Sequence, residues 1–115
     1  MAYDITLAKK ISAYLADVPG IIVKEQKMMG GLAFMVNGKM CVNVSHNNLM
    51  CRFDPKLQRE VAARKGFQVM IMKGREYRGY CYVNEDGYKT KNDLEYWLNL
   101  CLDFNDKAKA SRSTV

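Results

Sequence analysis

Histidine occurs once in this sequence, at His46, and proline only twice. A single histidine leaves no His–His pair for a zinc site. Its setting, the polar turn "SHNN", offers no nucleophile with a partnered base either. Cysteine occurs at 41, 51, 81 and 101, never as C-x-x-C, which removes the commonest zinc and dithiol spacings. No apolar run approaches the roughly 18–20 residues a membrane helix needs. The opening MAYDITLAKK lacks the basic-then-apolar order of a secretion signal. The location expected is therefore cytoplasmic, with no membrane association. In that compartment Cys41, Cys51, Cys81 and Cys101 are expected as reduced thiols buried like small hydrophobes. The sequon Asn43-Val44-Ser45 is set aside on the same ground. Glu85, Asp86 and Asp93 read as turn and helix-cap residues rather than as paired carboxylates. "NEDGYKTKNDLE" has its glycine and oxygen donors out of step with a twelve-residue calcium loop. No enzyme, metal or cofactor is expected.

What is present is a chain of 115 residues, 49% apolar and 26% charged, with net charge +6. That composition fits one globular domain. Residues 1–53 carry +3, residues 54–80 carry +4 and residues 81–115 carry −1, so the middle is the basic part.

Residues 4–18 place Ala8, Ile11, Leu15 and Val18 at helical spacing. Asp4 is suited to the N-cap, and Pro19-Gly20 ends the helix. "IIVKEQKM" reads as a first strand. In "LAFMVNGKMCVNV", Leu32, Phe34 and Val36 alternate with Ala33 and Met35, while Met40, Val42 and Val44 alternate with Cys41 and Asn43. Two such runs around Asn37-Gly38 predict a hairpin, because its tight turn needs positive φ at both central residues. "SHNN" turns the chain into a short strand, "LMCRF". Asp54-Pro55 opens a helix that Gly66 closes, with Leu57 and Val61 as a narrow apolar stripe. "FQVMIM" and "YCYV" are strands, joined by a basic loop from Lys73 to Gly79. "NEDG" is a turn. Thr90 caps a last helix whose inner face is Leu94, Trp97, Leu98, Cys101 and Leu102. The fold class expected is α+β: a two-layer sandwich with an antiparallel sheet and helices on one face, in the order α-β(3–4)-α-β(2)-α. The domain spans 1–106, and 107–115 form a disordered tail.

The glycines of "KMMGGLAFMVNGKM" invite a phosphate-loop reading, but such a loop runs from strand to helix with its lysine after the last glycine. Here Lys27 precedes Gly30-Gly31 and a strand follows, so a turn or bulge is expected.

This stretch, with "RGYCYVNEDGYKTKNDLEYWL", resembles the N-terminal domain of the TfoX/Sxy family from about Val23 to Asp103. The markers are Met28, Gly30, Gly31, Asn37, Gly38, Gly79, Tyr82 and Trp97. Met29 stands where the family usually has phenylalanine. The resemblance implies a secretion-chaperone-like α+β fold. It also implies a regulatory role: the family includes bacterial competence regulators that act with a cyclic-AMP-responsive transcription factor and carry a second, helical domain. The chain is similar to a short, stand-alone form without that domain. The function expected is a non-enzymatic domain that contacts a protein partner, a transcription factor in the family's case. The eight methionines also suit a homodimer. The alternative is direct nucleic-acid binding through one basic patch of Arg64, Lys65, Lys73, Arg75 and Arg78, with Tyr77 and Tyr80 for stacking.

Overall fold

A computed structural model describes residues 3–28 and 30–107. The elements follow in the order α1 (Ile5–Ala16), β1 (Val23–Met28), β2 (Gly31–Val36), β3 (Lys39–Ser45), β4 (Asn48–Arg52), a 3-10 turn (Pro55–Leu57) running into α2 (Gln58–Ala62), β5 (Phe67–Met72), β6 (Arg75–Val83), α3 (Glu85–Tyr88) and α4 (Lys91–Asn105). The six strands form one antiparallel sheet in the order β1-β2-β3-β4-β6-β5. The α+β class and the order of elements are as expected. Of the expected tail, 107–115, residues 108–115 lie outside the described residues, as do Met29 and the side chains of Met28 and Met72. Among the described residues no helix is long and apolar enough to cross a membrane.

Local chemistry accounts for most boundaries. The Asp4 carboxylate accepts from the Leu7 amide at the start of α1, and Thr90 Oγ1 accepts from the Asp93 amide at the start of α4. Each satisfies one of the amides a helix N-terminus leaves open. Asn37 and Gly38 have φ of 53° and 83°, the geometry of the tight hairpin turn. The Asn37 side chain also accepts from the Ile22 amide, tying the entry of β1 to that turn.

The helices cover one face of the sheet. Leu7, Ile11 and Leu15 of α1, Val61 of α2, Tyr88 of α3, and Leu94, Trp97, Leu98 and Cys101 of α4 are buried in one cluster. From the sheet it takes Leu32, Phe34, Val36, Val42, Val44, Leu49, Cys51, Cys81 and Val83. Trp97 is seated by a hydrogen bond from its indole N–H to the Gly87 carbonyl, 2.9 Å. The far end of α4 is anchored by Asn105, whose Nδ2 donates to the Val36 carbonyl, and by Lys39, whose Nζ donates to the Asn105 and Asp106 carbonyls.

The opposite face builds a second, separate cluster: Ala33, Met40, Met50 and Met70, with Met35, Tyr80 and Tyr82 packed against them. No helical residue belongs to it. Met40 was expected on the same face as Val42 and Val44, and the structure corrects this. Phe34 pairs with Val42 but Met35 pairs with Met40, leaving Cys41 as the extra residue of a bulge. The bulge breaks the two-residue alternation, so Cys41 joins the helix-side core and Met40 the methionine face.

Candidate functional site

The expected basic patch does not form as one surface. Arg64 lies at the end of α2, with its guanidinium 3.6 Å from the centre of the Tyr96 ring on α4. Lys65 is its neighbour in the turn before β5. Lys73 sits at the other end of that strand, and six residues of β5 separate the two groups by about 20 Å. Arg64 and Lys65 therefore belong to the α2–α4 side, while Lys73, Arg75, Tyr77 and Arg78 are brought together at the β5–β6 hairpin.

The segment from Lys73 to Gly79 is also not a loop. Only Lys73-Gly74 turns, with φ of 55° and 77°, and β6 begins at Arg75. The β4–β6 ladder stops at Arg52↔Tyr80, whereas the β5–β6 ladder continues to Met72↔Arg75. Residues beyond Tyr80 therefore form a two-stranded arm projecting past the end of β4. A bulge bends its base: Val69 pairs with Cys81 and Ile71 with Glu76, so β6 takes five steps where β5 takes two. Gly79, at φ 86°, lies inside that bulge. A Cβ there would meet the Phe53 carbonyl and the Pro55 ring, both at 2.9 Å. Its amide donates to the buried Gln58 side chain, and its carbonyl accepts from Phe53. This locks the angle at which the arm leaves the sheet.

On the arm Ile71 is 60% exposed and Tyr77 43%. Lys73, Arg75 and Arg78 are exposed, with Glu76 the one acidic residue between them. Tyr77 contacts Tyr80 with ring centres 5.8 Å apart, and Arg52 lies over Tyr80 at 5.7 Å. This aromatic–cation row leads from the arm onto the methionine face. Tyr77 and Tyr80 thus join the arm to the methionine face, whereas Ile71, next to Met70 in β5, falls on the opposite face.

Gly30 and Gly31 meet different needs. Gly30 has φ 75° and open space around it, whereas a Cβ on Gly31 would lie 2.1 Å from the Val44 carbonyl and 2.8 Å from Asn43 Oδ1. The pair makes a turn and a close strand approach, as expected. Beside Gly31, the buried Asn43 side chain has no hydrogen-bond partner among the described residues. His46 has φ 55° in its exposed turn. Its carbonyl accepts from the Asp4 amide, which ties that turn to α1.

Two features were missed from sequence. All four cysteines are buried free thiols, as expected, and what was missed is that they converge: Cys101 contacts Cys41 and Cys51, and Cys51 contacts Cys81. Hydrogen bonding to Cys101, then burial, pushes the Cys41 thiol far up. Cys51 is raised by its bonds to Cys101 and Cys81 and by burial. The contacts run as a chain rather than a cage, and among the described residues no group of three or more His, Cys, Asp or Glu is placed to hold a metal ion. The second feature is a groove of about 720 Å³ between the C-terminal half of α1 and the start of α4. Ala13, Val18, Leu94 and Leu98 give it an apolar lining, and Lys10, Asp17, Lys91 and Glu95 contribute charge of both signs. Neither feature has a helical or period-two signature, because each is assembled from separate elements.

No curated protein and no solved structure matches the chain significantly. The family model described as TfoX N-terminal domain matches residues 13–105. That interval runs from the second half of α1 to the end of α4 and takes in every strand, and the chain therefore belongs to the TfoX N-terminal domain family.

Proposed function

We propose that this domain is a non-enzymatic regulatory module that docks on a protein partner through the sheet face opposite its helices. The observation that carries the reading is the division of the core. One face is sealed by four helices, while on the other Met40, Met50 and Met70 are buried among half-buried Met35, Tyr80 and Tyr82, and among the described residues no helix packs there. Methionine adapts its unbranched chain to a contacting surface at low cost, and tyrosine offers apolar area with a polar handle. Tyr77, in contact with the Tyr80 ring, carries this surface to the base of the arm. On this reading the partner is a transcription regulator, in keeping with the resemblance to TfoX-like regulators.

The test is affinity capture of the tagged chain from a nuclease-treated lysate, run beside the Met35→Asp and Tyr82→Ala variants. Both residues are half-buried at the surface of that face, and circular dichroism checks that each variant is folded. A specific protein held by the wild type and lost from both variants supports the reading. Partners retained equally by all three forms, or released by nuclease, contradict it.

A further inference from the structure

We propose that the β5–β6 arm is a nucleic-acid contact: a two-stranded ribbon that lies against the phosphate backbone of a duplex through Lys73, Arg75 and Arg78. This goes beyond the protein-docking reading and does not depend on it.

Three observations converge on the arm. The first is uncompensated charge. The one ion pair among the described residues is Lys89–Asp86 at 3.9 Å, on the helix side. The three arm cations are exposed and share a hairpin with a single acid, Glu76. Cations held close together without partners repel one another, and a polyanion relieves that repulsion while its counterions are released.

The second is shape. Past Arg52↔Tyr80 the hairpin continues alone to the Lys73-Gly74 turn. A free two-stranded ribbon matches the width of a duplex major groove. The bulge at Tyr77, Arg78 and Gly79 interrupts the ladder at its base, a common device for re-aiming side chains.

The third is the side-chain mix. Tyr77 stands in sequence among the cations, exposed, and the Tyr77–Tyr80–Arg52 row continues inward. Guanidinium groups with aromatic rings suit phosphate and base surfaces. Acidic proteins share only the charge term, which makes nucleic acid the better-matched partner.

Anisotropy of a labelled 25-base-pair duplex, titrated with the full chain, tests this. Binding in the micromolar range at 50 mM salt is expected, with log K falling against log salt at a slope near −2.7 for about three phosphates. Arg75→Gln/Arg78→Gln should weaken binding tenfold or more and shallow the slope by about 2. Lys89→Gln/Lys91→Gln, on the opposite layer, should change it less than twofold. Circular dichroism confirms that each variant is folded. No complex at tens of micromolar overturns the proposal. Equal loss in both double variants does so too, because general surface charge would then be responsible. Equal affinity for polyglutamate assigns the arm to acidic proteins instead and overturns it as well.

Discussion

Gly30 and Gly31 are adjacent and chemically identical, yet alanine at the two positions should cost very different amounts. At Gly30 the backbone is left-handed, φ 75°, and an added Cβ meets nothing within 4 Å. The penalty is the intrinsic cost of that conformation for an L residue, about 1–2 kcal/mol. It is partly offset by about 0.4–1 kcal/mol because the unfolded chain loses freedom. A net loss of about 1 kcal/mol follows. At Gly31 no left-handed strain is involved. The Cβ would lie 2.1 Å from the Val44 carbonyl oxygen, less than any real contact permits. Val44 belongs to β3, pairs with Leu32 and is buried in the helix-side core, so the strand cannot yield without opening the sheet centre. Overpacking costs about 1–3 kcal/mol where side chains can move. Against backbone, the upper end of that range or more is expected. For a domain of this size each kcal/mol is worth roughly 4 °C in Tm. Gly30→Ala should therefore melt about 4 °C lower and Gly31→Ala at least 10 °C lower. Asparagine separates the causes, since it tolerates the left-handed region: Gly30→Asn recovers stability and Gly31→Asn does not. Thermal and urea unfolding with unchanged m-values provide the assay. Equal losses at the two positions would refute the assignment of turn strain to one glycine and strand contact to the other.

Three further outcomes follow from the core. Asn105→Ala removes the Nδ2 donor to the Val36 carbonyl and should cost about 1–3 kcal/mol in urea unfolding. The four cysteines should resist a thiol reagent at pH 7.5 in the folded protein and react together once urea unfolds it, because their burial keeps the reagent out. Tyr88 donates to the Asn47 carbonyl, and burial, then the charges of Asp4 and Glu85, push its phenol up to about 12. Its folded pKa thus lies above the unfolded value near 10. Its contribution is complete below pH 10 and fades as pH rises towards 12. Tyr88→Phe should flatten that part of the stability–pH curve.

How much of this was legible in the sequence depended on how locally each feature is determined. Asp4, Thr90 and Asn37-Gly38 act within a few residues, and their caps and turn were read correctly. The arm was misread as a loop because it projects from the sheet. Residues exposed on both sides carry no period-two pattern, and lysine at a left-handed turn position is an unusual signal beside Asn-Gly. "NEDG" was read as a turn and is one turn of helix, seated where Gly87 approaches Gly66; a Cβ on Gly66 would lie 2.5 Å from Gly87 Cα. That approach is a tertiary fact with no local trace. The candidate patch failed for the same reason. Arg64 and Lys65 are close to Lys73 in number but sit at opposite ends of β5. The convergence of Cys41, Cys51, Cys81 and Cys101 depends on strand order and on the bulge at Cys41, neither of which spacing reveals. The methionines were noted as adaptable surface, but only the bulge explains why Met40 joins Met50 and Met70.

The central claim is that the sheet face opposite the helices is where this domain meets its protein partner. Photo-crosslinking residues placed one at a time at Met35, Tyr82 and Ala13 in the native cells test it most directly. Nuclease-resistant protein adducts at 35 and 82, with none at 13 in the α1–α4 groove, are predicted. Adducts confined to position 13 would contradict the account and assign recognition to the helical layer.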